Sequence, residues 1–166
     1  NLLACDIDRN RLSRLEPRAL RAGAGLIETR LLDPGKELEQ LSDRVGRADR
    51  VLVDAPCSGI GTWRRKPESK WRLTPKRLAQ FSAMQDRLLD IAEKLVRPGG
   101  MIVFVTCSLL DEEGKDRIDG FLARYDGWKA ARPALPIGRE HGTGWRLTPS
   151  HDGTDGFFLA KLVSAC

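Results

Sequence analysis

No apolar run in the 166-residue sequence approaches the ~20 residues a membrane-spanning helix needs, and no charged-then-apolar leader opens it. No membrane role is expected. The four cysteines, Cys5, Cys57, Cys107 and Cys166, form no CxxC pair and have no histidine close by. That argues against a structural zinc site, and no metal is expected. Without a secretory signal, reduced thiols in a cytoplasmic setting are the expectation. Internal repeats and low-complexity tracts are absent too, which excludes solenoids and repeat arrays. The first residue is Asn1, not Met, and the expectation is a trimmed chain or a piece of something longer.

What is present suits one globular domain, 1–166. The composition, 41% hydrophobic and 31% charged, is ordinary, and a chain of this length buries roughly 70% of its unfolded surface. Net charge is +5, unevenly spread. Residues 51–100 carry ten basic and five acidic side chains, whereas the flanking stretches are nearly balanced. Within that middle third, Arg64, Arg65, Lys66, Lys70, Arg72, Lys76 and Arg77 face only Glu68 in the sequence, with Trp63 and Trp71 interleaved. Cations between flat rings suit a nucleic-acid groove, and equally a solvated loop.

Short apolar runs alternate with helical patterns, the signature of an α/β fold. Strands are predicted at Asn1–Cys5, Leu26–Leu32, Val51–Val53 and Met101–Val105. Helices are predicted over Asn10–Ala22, weakly around Leu38–Val45, from Thr74-Pro75 to Arg97, and over Asp111–Tyr125. Two closing strands, around Trp128–Leu135 and Phe157–Val163, are joined by a Gly-rich loop. The order fits a parallel sheet with an antiparallel hairpin at its C-terminal edge.

Ligands of open α/β sheets bind outside the carboxyl ends of the strands. Asp6 ends the first strand there, Asp54-Ala55-Pro56-Cys57 the third and Thr106-Cys107-Ser108 the fourth. A carboxylate at a strand end accepts both hydroxyls of a ribose; two thiols beside a carboxylate suit nucleophilic catalysis. Each residue also has a plain structural reading. Asp6 as a helix cap, Asp33 as a turn residue before Pro34-Gly35, and the cysteines as small buried hydrophobes all stay open.

The stretch DAPCSGIGTWRRKPESKW at residues 54–71 resembles the Sun-type (NOL/NOP/Sun) RNA cytosine-C5 methyltransferases. VTCSLLDEE at 105–113 is similar to that family's second cysteine motif, and DGFFLAKL at 155–162 to its closing strand. The resemblance implies a Rossmann-like class I methyltransferase fold using S-adenosyl-L-methionine on RNA, ribosomal RNA being the expected substrate. It implies Cys107 as the thiolate that adds to C6 of cytosine and Cys57 as the residue assisting product release. Asp54 would contact the base and the cofactor region, Asp6 the cofactor ribose, and Asp33 the adenine. Arg64, Arg65, Lys66, Lys70 and Trp71 are the expected RNA contacts, made to a single-stranded or flipped cytosine.

Two departures accompany the resemblance. Gly114 stands where asparagine is expected. The glycine-rich cofactor loop and its strand, expected before Asn1 and between the strands ending at Asp6 and Asp54, are not in the sequence; nor is an N-terminal RNA-binding extension. The expectation is a truncated catalytic domain, inactive alone. Two other readings remain: a DNA cytosine-C5 methyltransferase with Cys57 as nucleophile, and a non-catalytic RNA-binding remnant.

Overall fold

A computed structural model describes residues 1–165; Cys166, one of the thiols expected to be reduced, lies outside them. Two compact units divide the chain, Asn1–Asp43 and the residues from Arg44 onward.

In the first unit, β1 (Leu2–Asp6) and β2 (Ile27–Leu31) pair in parallel, with Asp6 opposite Leu31. The helix expected over Asn10–Ala22 is two, α1 (Arg9–Ser13) and α2 (Leu15–Arg21), parting at Arg14. Pro17 explains the break: it has no N–H to return to the Ser13 carbonyl, and its ring crowds that carbonyl. The Asp8 carboxylate caps α1, accepting from the Asn10 N–H at 2.8 Å. The weak helix around Leu38–Val45 is reduced to one turn, α3 (Glu37–Gln40), and a 3-10 turn at Ser42–Arg44. Arg30 secures this end by donating to the Gln40 carbonyl at 2.9 Å and to Asp43 at 2.5 Å.

The second unit holds a six-stranded sheet. β3 (Ala48–Asp54) and β4 (Val96–Thr106) are parallel, Asp54 lying opposite Val105. Between them runs α4 (Pro75–Leu95), begun as expected by Thr74, whose hydroxyl oxygen accepts from the Arg77 N–H at 3.2 Å. The helix expected from Asp111 starts later. A 3-10 turn spans Asp111–Glu113, and α5 (Lys115–Arg124) follows Gly114. Gly114 is there for space, since a Cβ would lie 2.7 Å from Cγ of the buried Phe158 ring.

The expected antiparallel closing pair forms between β5 (Trp128–Ala131) and the later half of the last strand, β8 (Phe157–Ser164). The Gly-rich loop also contains a hairpin of β6 (Arg139–His141) and β7 (Gly144–Leu147), then a single turn, α6 (Pro149–Asp152). Strands of three and four residues are too short for a periodic signal. The sheet order is β3-β4-β8-β7-β6, with β5 also on β8. Among the described residues, β1 pairs only with β2, and β3 only with β4.

Alternate residues of β4 and β8 put Ile102, Phe104, Phe158, Ala160 and Leu162 into one core with Leu89 and Ala92 of α4 and Ile118 and Phe121 of α5. Burying each large member contributes roughly 1.5–3 kcal/mol. This packing fixes the sheet against two helices, and so fixes where β3 and β4 end.

Candidate active site

The ladder between β3 and β4 runs one residue past the strands, with the Ala55 N–H donating to the Val105 carbonyl at 3.0 Å. That bond steers Pro56 and Cys57 toward the end of β4, where Cys107 follows Thr106. The two sulfurs are 3.4 Å apart, and both residues are half-buried. Accepting the S–H of Cys57 pulls the Cys107 thiol down to about 7, against burial and the charges of Asp54 and Glu113. Cys57 is pushed up, because it keeps the proton that Cys107 accepts and because it is buried. Near neutral pH the pair therefore begins to populate a Cys107 thiolate beside a Cys57 thiol, the arrangement in which sulfur is nucleophilic. Asp54, exposed at the end of β3, is the nearby carboxylate expected from the sequence.

Three loops meet beneath the thiols. Gly61 donates its N–H to the Cys107 carbonyl at 3.0 Å and accepts from the Gly156 N–H at 2.8 Å. A Cβ at Gly61 would lie 2.0 Å from the Gly156 carbonyl oxygen, so this close approach requires glycine. Ser58 donates its N–H to Glu113 Oε1 at 2.7 Å and its hydroxyl to Oε2. Gln85 Nε2 donates to the Pro56 carbonyl at 2.9 Å and toward Glu113 Oε1 at 3.5 Å. Glu113 and Gln85 are fully buried. Neither was singled out in the sequence. Gln85 had a signal: it is a polar residue four after Phe81 and three before Leu88, on the buried stripe of α4.

The basic stretch is less unopposed than it reads. Asp155, from the DGFF motif, accepts from Arg65 Nε at 2.7 Å and pairs with Arg64 at 3.5 Å. Lys66 is exposed, Lys70 sits 4.6 Å above the Trp71 ring, and Trp71 is 79% exposed. A cleft of about 110 Å³ beside Cys57 is lined by Ser58, Ser69, Arg72, Leu73, Arg77 and Phe81.

In the first unit, Asp6 is no helix cap. Its Oδ1 accepts from the Asp8 N–H at 2.9 Å, and Arg11 stands 3.8 Å from Oδ2. A carboxylate has about four acceptor sites, so capacity remains for two ribose hydroxyls. Asp33 and Gln40 are reciprocal partners: the Asp33 N–H donates to Gln40 Oε1 at 2.7 Å, and Gln40 Nε2 to Asp33 Oδ2 at 3.1 Å. Both aspartates lie at or just past the carboxyl ends of adjacent parallel strands, the side on which open α/β sheets bind their ligands. Among the described residues no group of three His, Cys, Asp or Glu side chains is placed to hold a metal ion. No helix there is long and apolar enough to cross a membrane.

The family model of the 16S rRNA methyltransferase RsmB/F matches residues 1–163, all the motifs above included. The chain belongs to that family. Ribosomal RNA small subunit methyltransferase B of Shewanella oneidensis is 33% identical over 168 residues, covering 99% of this chain and 37% of that protein. Its counterpart from Salmonella newport is 35% identical over 163 residues, with 98% and 36% covered. The chain thus spans little more than a third of these relatives. Among solved structures, NSun6 from Pyrococcus horikoshii with SFG superposes with a TM-score of 0.84 at 29% identity, covering 99% of this chain and 41% of that one. A methyltransferase homolog protein from the same organism gives 0.76 at 26% identity, over 98% of this chain and 52% of that one. The Rossmann-like class I methyltransferase fold and the Sun-type resemblance both stand.

Proposed function

We propose that the chain is the catalytic part of an S-adenosylmethionine-dependent enzyme that methylates C5 of a cytosine in ribosomal RNA. The observation carrying this reading is the 3.4 Å thiol pair at the ends of β3 and β4, with Cys107 as the sulfur that ionises. The family match over 1–163 supports treating both units as one catalytic domain.

C5 of cytosine is a poor nucleophile until a group adds at C6. In this reading the Cys107 thiolate forms a bond to C6, which makes C5 an enamine-like carbon. When bound, S-adenosylmethionine supplies the methyl group that C5 takes. Water then takes the C5 proton, the Cys107 thiolate is expelled and, with the N3 proton returned to solvent, the aromatic ring is restored. Cys57, which keeps its proton, is suited to assist that release. Asp54 is suited to accept a hydrogen bond from the N4 amino group and so orient the base, while N3 takes up a proton from water as the thiolate adds, leaving no negative charge on the ring. Asp6 would hold the ribose of the cofactor, and Asp33 would lie near its adenine. Lys66, Lys70 and Trp71 are exposed for RNA contact, and Arg64 and Arg65 share their charge with Asp155. A cytosine stacked in a duplex is out of reach, so the substrate is single-stranded or flipped.

The DNA-type alternative, with Cys57 as nucleophile, has against it the proton that Cys57 retains. Covalent trapping on RNA containing 5-fluorocytosine tests the proposal: the fluorine cannot leave as a proton does, so the Cys107–C6 bond persists. Absence of any adduct in the full-length protein supplied with cofactor and ribosomal RNA would overturn it.

A further inference from the structure

Glu113 is a carboxylate with no solvent exposure, and among the described residues no cation pairs with it. Burying such a charge is costly unless hydrogen bonds offset the lost hydration. The donors present are specific. Two come from Ser58, the residue after Cys57, through its N–H at 2.7 Å and its hydroxyl. The third, Gln85 Nε2, also holds the carbonyl of Pro56, the residue before Cys57, at 2.9 Å. Cys57 is therefore fixed from both sides. The same glutamate reaches the other cysteine. Its backbone carbonyl accepts from the hydroxyl of Thr106, just before Cys107, at 3.2 Å. The hydroxyl of Ser108, just after Cys107, lies 3.4 Å from that of Ser58 and accepts from the Leu110 N–H at 3.2 Å.

We propose that Glu113 is a positioning residue that clamps the Cys57 loop against the end of β4 and so holds the Cys57 sulfur within hydrogen-bond reach of the Cys107 sulfur. The inference rests on the two-thiol reading of the site but on neither RNA nor cofactor. Without Glu113, the 56–58 turn loses two direct contacts, and the Gln85 amide loses one of its acceptors. The groups that bear on Cys107 are Cys57 and the Cys107 backbone N–H as hydrogen-bond partners, the Arg65 guanidinium as a favourable charge, and Asp54 and Glu113, with burial, in opposition.

The test is the pH dependence of iodoacetamide alkylation on the 166-residue chain, followed at Cys57 and Cys107 separately by peptide mass spectrometry. In the unaltered chain Cys107 should react with a midpoint of about 7. Glu113→Ala frees the Cys57 loop, and the Cys107 midpoint should rise by about one pH unit while Cys57 gains reactivity. Glu113→Gln keeps an acceptor for the Ser58 N–H, removes the charge and turns the second contact round, with the Ser58 hydroxyl accepting from the new amide, so the midpoint should hold or fall slightly. A merely structural glutamate would lower the melting temperature in both variants without driving the midpoints apart. A folded Glu113→Ala chain with unchanged midpoint and silent Cys57 overturns the clamp. Should that variant fail to fold, Ser58→Ala carries the test: an upward but smaller shift supports it, and no shift overturns it. Alkylation needs no substrate, so its failure leaves the methyl-transfer reading standing, and failed RNA trapping leaves the clamp standing.

Discussion

The sulfur of Cys57 stands 3.4 Å from that of Cys107, on a loop and a strand end that are 50 residues apart in sequence. One of the two gives up its proton first, and the neighbour's S–H decides which. Cys107→Ala should therefore abolish trapping on 5-fluorocytosine RNA, and Cys57→Ala should let a stalled adduct accumulate. The pH dependence follows from the lowered Cys107 value: thiolate forms as pH rises through about 7, so trapping should climb below that point and level off above it. In Cys57→Ala the donor is gone, and the climb should move to higher pH. Denaturing gels over a pH series read both effects, and an adduct lost in Cys57→Ala but kept in Cys107→Ala would reverse the assignment.

Asp155 and Arg65 give the basic segment a second test. Replacing Arg64, Arg65 and Lys66 with Ala should weaken RNA binding and flatten its salt dependence, by up to about one slope unit per lost phosphate contact. Asp155→Asn releases both arginines and should steepen the slope instead. Binding isotherms at several salt concentrations decide; slopes unchanged in both variants would mark the arginines as anchors for the DGFF turn alone.

Two glycines should resist substitution for steric reasons. Gly114→Ala drives a Cβ to 2.7 Å from the Phe158 ring, an overpacking cost of about 1–3 kcal/mol that exceeds any gain in helix propensity. Gly61→Ala meets backbone at 2.0 Å, which cannot rotate away, and should be worse. Urea unfolding should rank the unaltered chain above Gly114→Ala, and that above Gly61→Ala. The reverse order would show that the 61–156 contact yields easily.

Asp6 and Asp33 should differ in their effect on cofactor. Asp6→Ala removes a charged acceptor for two hydroxyls and should weaken S-adenosylmethionine binding about tenfold or more. Asp33→Ala should do less, because its carboxylate is already engaged with Gln40. Titration calorimetry on the full-length protein measures both, and equal losses would mean that Asp33 has a larger role than its hydrogen bonds suggest.

Much of this protein is decided locally. The helix start at Thr74-Pro75, the strand leading to Cys107 and the antiparallel pair at the C-terminus follow from caps, apolar runs and turn residues, which act over a few positions. The two cysteine motifs are read directly for the same reason, since a strand end is where such residues become available. Other features are hidden from apolar spacing or depend on groups far apart in the chain. The split of the first helix at Arg14 is a local effect of Pro17 that apolar spacing alone conceals. The β6–β7 hairpin is too short for any period to mark it and forms because β8 offers an edge. No reading of WRRK or DGFF alone pairs Arg65 with Asp155, 90 residues away. The sequence by itself determined the family, the sheet and the two thiols, because each rests on contiguous residues. Only the tertiary structure decided that the two sulfurs lie 3.4 Å apart and that the buried Glu113 carboxylate accepts from Ser58 beside Cys57. Desolvation and hydrogen-bond geometry exist only once distant loops are packed together.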